Sequence, residues 1–201
     1  MVFGLAPLVA HRCGVSAAVL PLLWLVAAGC VYSLRADPTF PAGRLQLAWR
    51  GVPARVWATI AMRALLVGAG LAALVAVAFP GRWLVLPLTR PGLWIAILVL
   101  YPVFSVYPQE LIFRIFLFHR YRPAFGGDWP TLLASAVAFG WVHVVFGTWL
   151  AVGLAALGGL LLAETYRRTR SLVLVCAEHA LYGQLVFTLG LGEFFYHGRI
   201  G

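Results

Sequence analysis

The chain has 201 residues, of which 63% are hydrophobic and only 10% are charged, whereas a soluble domain carries roughly 25% charged residues. One core surrounded by water cannot hide so much apolar surface, but a bilayer can surround it, so the composition predicts a membrane protein. The net charge is +9 and all 15 basic residues are Arg. Because they gather between apolar runs, they indicate membrane loops and exclude a nucleic-acid-binding stripe.

Six apolar runs are long enough to cross a bilayer as helices. In chain order, these runs are 14–34, 56–79, 92–118, 131–147, 148–164 and 171–191. The first passes through Ala-Ala-Gly-Cys30, which loosely imitates a lipoprotein signal, but it continues through Leu34 and so predicts a retained span. We therefore expect an all-α fold. It is a polytopic transmembrane helical bundle of about six spans, with seven or eight helices if some spans are broken.

Local signals refine three segments. The third run contains Pro102 and Pro108, which predict either one kinked helix or a span followed by a short second helix. A further interfacial helix fits residues 38–55. Asp128 is expected to cap the helix that begins near Pro130.

The fourth and fifth runs are expected to form a hairpin, because Gly147-Thr148 permits a tight turn between them. From this turn onward, small residues recur at every fourth position and predict a smooth ridge for close helix packing. The ridge comprises Gly147, Ala151, Ala155, Gly159 and Ala163.

Arginines between the runs predict an orientation. If the N-terminus lies outside, the inner loops hold nine arginines and the outer side holds four, while Arg63 and Arg114 lie within runs. The positive-inside rule then favours a topology with both termini outside.

Few ionisable residues lie inside the runs, and they are functional candidates because a charge in a bilayer is costly. They are Glu110, Arg114, His143, Glu178 and His179, with Arg63 apart. Glu110 and Arg114 share a helix face and can pair, which alone would fit a structural ion pair. A single His in a span is commonly a packing residue. Glu178 faces about 100° away from His179 and either bonds a neighbouring helix or lies at the bundle edge.

Three of these groups lie at similar predicted depths. Glu110 and His179 are each eight residues from the inner end of their runs and His143 is twelve, which corresponds to roughly 12 Å and roughly 18 Å. A carboxylate with two imidazoles suits activation of water and stabilisation of an oxyanion. The same groups suit zinc, although no HExxH is present. The cysteines lie in apolar surroundings without metal-like spacing and are predicted to be packed free thiols; they are Cys13, Cys30 and Cys176.

Three short motifs then reveal a family resemblance. They are Gln109-Glu110-Leu-Ile-Phe-Arg114, Phe139-xxx-His143 and His179-xxx-Gly183. In this order they resemble the EExxxR, FxxxH and HxxxN motifs of the CPBP (CAAX protease and bacteriocin-processing) intramembrane endopeptidases. The resemblance covers about residues 92–191. It implies N-terminal transmembrane helices in residues 1–91 and a catalytic core in residues 92–201.

The resemblance implies an intramembrane endopeptidase that hydrolyses a peptide bond of a membrane-associated protein or peptide. Glu110 would activate water with the help of His143 and His179, and Arg114 would orient Glu110. Gln109 and Phe139 would shape the site. A metal such as zinc is not required by this interpretation. The expected surroundings are membrane lipid and a bacterial inner membrane crossed several times, without nucleic acid.

Two positions depart from the family motifs. Gln109 replaces the first Glu, which usually has the base role, and Gln cannot act as a base, so Glu110 must take that role. Gly183 replaces Asn and removes an amide that could donate to an oxyanion. These departures keep a second hypothesis open, a non-catalytic member of the fold with a binding or immunity role. A third hypothesis is a transporter that uses the buried Glu and Arg as a relay.

Overall fold

The computed structural model describes residues 19–45 and 51–195, which contain helices and turns but no β-strand. Seven helices run through these residues. They are Val19–Arg35 (α1), Ala54–Ala78 (α2), Val85–Thr89 (α3), Pro91–Phe125 (α4), Asp128–Val142 (α5), Trp149–Thr169 (α6) and Leu172–Leu189 (α7). The prediction of an all-α fold is confirmed.

Five helices are long and apolar enough to cross a membrane: α2, α4, α6, α7, and α5 together with the turn that follows it. Each coincides with one predicted run. The apolar helix α1 coincides with the first run, of which residues 14–18 lie outside the described residues. Large apolar side chains such as Leu65 and Val137 are exposed, 70% and 69%, as expected for surfaces that face lipid. The chain is thus a multi-pass membrane protein.

Helix α4 is continuous through Pro102 and Pro108. It widens into π-helical turns at Pro102–Val106 and Leu111–Phe116, because proline has no N–H for the ordinary helical hydrogen bond. One continuous helix is therefore present rather than a span and a separate second helix. Of the interfacial helix predicted in 38–55, Ala42–Leu45 forms a 3-10 turn, and 46–50 lie outside the described residues.

The predicted hairpin joins α5 to α6. Gly147 adopts a φ of 75°, a left-handed conformation that favours glycine. The hydroxyl of Thr148 then accepts a hydrogen bond from the backbone N–H of Ala151 at 3.2 Å and caps α6. The turn is therefore set by the residue types that the sequence places there.

The ridge of small residues packs α6 against α5. Ala151, Ala155, Gly159 and Ala163 are all buried. A Cβ built on Gly159 would lie 3.2 Å from both the Cα of Ala136 and the phenyl ring of Phe139. The absence of a side chain at Gly159 therefore sets how closely the two helices approach, as the ridge predicts.

The expected capping role of Asp128 is wrong. Gly127 is the N-cap of α5, and no side chain caps that end. The Asp128 carboxylate instead accepts hydrogen bonds from Arg122 and, at 2.7 Å, from Arg170. Charge-assisted bonds to two guanidinium groups are stronger than a bond to a neutral backbone N–H, so the carboxylate turns towards the arginines.

Ion pairs group the loops at two ends of the bundle. Asp128–Arg170 and Asp37–His119, the latter at 3.0 Å, join segments predicted to lie inside. Hydrogen bonds from Thr39, and to a smaller extent from His119, lower the pKa of Asp37 to about 2. Arg82 pairs with Glu193 at the opposite end of α2 and α7. The helices thus alternate in direction as predicted, and which end faces inside stays a prediction.

We predict that Gly159→Leu lowers the thermal unfolding temperature of the purified protein in detergent. The added side chain would overpack the contact with Ala136 and Phe139, and overpacking costs about 1–3 kcal/mol. The control is Gly158→Leu, because a Cβ on Gly158 meets no described atom within 4 Å. Equal unfolding temperatures for the two variants would contradict this packing.

Candidate active site

A buried hydrogen bond joins α4 to α7. The Nδ1 of His179 lies 2.7 Å from Oε1 of Glu110. Glu110 has no exposed surface and His179 is 6% exposed. Since an ionised carboxylate can only accept, Nδ1 carries the proton and donates it when Glu110 is charged. The first and third motifs therefore meet directly.

The second oxygen of Glu110 faces a buried arginine on the same helix. Its Oε2 lies 3.1 Å from Nε of Arg114 in an ion pair between residues four apart. The Arg114 Nη1 donates to the hydroxyl of Ser135 at 2.8 Å, and Ser135 donates to the carbonyl of Phe113 at 2.8 Å. The guanidinium also lies 4.9 Å from the centre of the Phe139 ring. Arg114 therefore balances the carboxylate charge and links it to α5.

His143 is separated from the Glu110–His179 pair by the ring of Phe139. Its Nδ1 donates to the backbone carbonyl of Phe139 at 2.7 Å, which leaves Nε2 as the proton acceptor of the neutral ring. The Phe139 ring centre lies 4.8 Å from that of His143 and 5.3 Å from that of His179. The phenyl ring thus contacts both imidazoles. Of the three candidates, Glu110 and His179 are bonded and His143 is joined to them through Phe139.

The two residues that depart from the family motifs have different surroundings. Gln109 donates from Nε2 to the hydroxyl of Ser105, on the same helix, at 2.8 Å. Gly183 lies one turn beyond His179, and a Cβ there would overlap the phenol of Tyr101. Gln109 therefore makes a local bond within α4, whereas Gly183 leaves space for a side chain from another helix.

Tyr101 is a polar neighbour of the site that the sequence did not reveal. Its hydroxyl lies 3.1 Å from Nε2 of His179. In an ideal α-helix, successive residues are rotated by about 100°, so nine residues correspond to about two and a half turns. Tyr101 and Glu110 would then lie on opposite faces of the helix. The π-helical segment Pro102–Val106 lies between them and turns less per residue. No periodicity in the sequence signals this change of face.

A second buried polar cluster surrounds Glu178. Tyr182 donates to its Oε1 at 2.6 Å, and Nη1 of Arg63 lies 3.5 Å from the same oxygen. Arg63 also donates to the hydroxyl of Thr165 at 2.9 Å. Glu178 thus contacts a neighbouring helix and does not lie at the bundle edge.

The described donors do not form a metal site. Within residues 19–45 and 51–195, no group of three His, Cys, Asp or Glu side chains is placed to hold a metal ion. One Glu110 oxygen is bonded by His179 and the other faces the positive charge of Arg114, which disfavours a cation there. Cys30 and Cys176 are free thiols, as predicted: Cys30 is buried in the apolar core and Cys176 packs against it. Cys13 lies outside the described residues.

Comparison with known families agrees with this geometry. Residues 90–184 match the family model described as type II CAAX prenyl endopeptidase Rce1-like. This segment of the chain is therefore similar to the CAAX prenyl endopeptidases that the CPBP resemblance indicated. The matched segment contains all three motifs and also Tyr101. No curated protein and no solved structure matches the chain. The match supports a relation to CAAX-type membrane endopeptidases over these residues.

We predict that Arg114→Met destabilises the protein by about 3–5 kcal/mol, because the buried carboxylate of Glu110 loses its countercharge. The double variant Arg114→Met/Glu110→Gln should recover part of this loss, since the amide is neutral. Thermal and denaturant unfolding of the purified variants would measure both effects. Losses that simply add in the double variant would show that the two groups are not coupled.

Proposed function

We propose that this protein is an intramembrane endopeptidase in which Glu110 activates water. The observation that carries the proposal is the 2.7 Å bond between Glu110 and His179 at a site with almost no exposed surface. Most apolar cores contain no such group, and ionisable residues within a membrane protein concentrate at functional sites. The family match supports hydrolysis of a peptide bond rather than ion or solute transport.

The free acceptor of the site is Oε2 of Glu110. It is buried and has no well-aligned hydrogen bond from any described residue, although Arg114 lies 3.1 Å away. A buried acceptor without a hydrogen bond is costly, and a water molecule can supply that bond. We infer that Oε2 takes a proton from this water while Oε1 is held by His179. The remaining hydroxide attacks the carbonyl carbon of the substrate.

This attack gives a tetrahedral intermediate whose former carbonyl oxygen carries the negative charge, while Glu110 holds the proton. The intermediate collapses in a balanced step. The bond between the carbonyl carbon and the amide nitrogen breaks, and the proton held by Glu110 passes to that nitrogen, so the products are an acid and an amine. His143 suits the transfer of this proton because its Nδ1 is committed to the Phe139 carbonyl and Nε2 can accept and return a proton. Arg114 fixes the position of Glu110 through both the ion pair and Ser135.

The proposed substrate is a membrane-associated protein or peptide, reached within a bacterial inner membrane. The large apolar surface of the helices and the buried site favour a substrate that is itself in the bilayer. The family description names prenylated substrates. Peptides with and without a prenyl group are therefore two arms of the same test.

A non-catalytic role is the second candidate, and the observation that favours it is Gln109. This amide cannot act as a base, and it bonds Ser105 rather than the His179 pair. A binding or immunity protein of this fold would retain Glu110 only for its ion pair with Arg114. The two candidates differ in whether new peptide ends form in the membrane.

We predict that Glu110→Gln and His179→Gln each reduce peptide cleavage by about 10²-fold or more, because each removes a participant in proton transfer. The measurement compares new N-termini among membrane proteins of a deletion strain that expresses either the wild type or a variant. Purified protein in liposomes, supplied with prenylated and unmodified quenched peptides, would then give rates.

The controls are Glu164→Gln and His119→Gln, which alter a carboxylate paired with Arg167 and an imidazole paired with Asp37. Both should cleave like the wild type. New N-termini that persist in Glu110→Gln would refute the base role. Absence of new N-termini even with the wild type would favour the binding role.

A further inference from the structure

Tyr101 contacts the ring nitrogen of His179 that does not bond Glu110. Its hydroxyl is 3.1 Å from Nε2, and the two rings meet edge to face with centres 6.0 Å apart. The Phe187 ring also packs edge to face on Tyr101, at 5.7 Å. Contacts from α7 on both sides thus fix the phenol of a residue that belongs to α4.

Gly183 is what allows the phenol to lie there. This glycine is in the interior of α7, where glycine is disfavoured relative to other residues. A Cβ at this position would overlap the ring and the hydroxyl of Tyr101. A side chain at position 183 and the phenol of Tyr101 would therefore occupy the same volume, and in this protein the phenol occupies it.

We infer that Tyr101 is a positioning residue for His179 and that its hydroxyl takes the place of the amide that the HxxxN motif puts at position 183. The inference rests on the proposed function for its catalytic meaning. The hydroxyl donates to Nε2, so the proton of the neutral imidazole stays on Nδ1 and points at Glu110. A continuous chain of hydrogen bonds then runs from Tyr101 through His179 to the carboxylate.

This arrangement holds both the tautomer and the ring angle of His179. Without the hydroxyl, Nε2 can carry the proton instead, and Nδ1 then has no proton to donate to Glu110. The carboxylate would lose one of its two partners in a site with no exposed surface. The expected result is slower turnover without weaker substrate binding, because the phenol acts on His179.

The first test is Tyr101→Phe, which keeps the ring and removes only the hydroxyl. Nitrogen NMR of the full-length protein labelled with ¹⁵N-histidine should show a changed protonation pattern for His179, whose signals are assigned by their loss in His179→Gln. The kcat should fall about tenfold, the value of one lost hydrogen bond, with KM little changed. The control is Tyr121→Phe, whose ring packs on Phe116 and Phe125 away from the site.

The second test exchanges the two positions. Gly183→Ala should displace the phenol and change the His179 signals as Tyr101→Phe does, and combining the two changes should add little. Gly158→Ala is the control for a glycine in a helix with open space around it. Tyr101→Ala/Gly183→Asn should regain the His179 signal pattern and about tenfold of the rate lost in Tyr101→Ala, since the amide again donates.

The two proposals fail separately. Unchanged His179 signals in Tyr101→Phe would overturn the positioning role of Tyr101, whatever the peptidase rates are. Changed signals in a protein that cleaves no peptide would support the positioning role and overturn the proposed function. An exchanged double variant that behaves no better than Tyr101→Ala would show that the hydroxyl does not stand in for the amide.

Discussion

The carboxylate of Glu110 is the charge around which the rest of the site is arranged. It has no exposed surface, and an ionised carboxylate in apolar surroundings is costly unless it is paired and hydrogen-bonded. Arg114 supplies the charge at one oxygen and His179 supplies the hydrogen bond at the other. Because these partners come from α4 and α7, the same pairing that permits the charge also holds the two helices together.

The buried guanidinium of Arg114 also requires partners that stabilise it, and the hairpin of α5 and α6 supplies two of them. Ser135 and Phe139, both on α5, supply an acceptor and an aromatic face to Arg114. Phe139 can lie there because Gly159 on α6 has no side chain to occupy the space. The ridge of small residues is architecture, yet it determines where the aromatic ring between the two imidazoles lies.

The fold and the local pairs could be predicted from sequence, whereas contacts between distant segments could not. Apolar runs and the spacing of Glu110 and Arg114 depend on helical geometry alone, and the structure contains both the helices and the ion pair. The depths predicted from the sequence placed His179 at the same level of the membrane as Glu110, but they did not show that the two side chains are in contact. Asp128 was misread because its partner Arg170 lies 42 residues further along the chain. Tyr101 was missed because a π-helical segment changes its face.

The two departures from the family motifs differ in what they remove. At position 183, the missing side chain leaves room for a phenol that reaches the same imidazole, so a hydrogen-bonding group is still present. At position 109, the amide bonds Ser105 and no described contact replaces a second carboxylate at the His179 pair. A mismatch to a motif therefore argues against activity only when no other helix supplies the lost group. By this criterion, Gln109 and not Gly183 is the departure that argues against activity, and the proposed peptidase requires Glu110 to act as the base in its place.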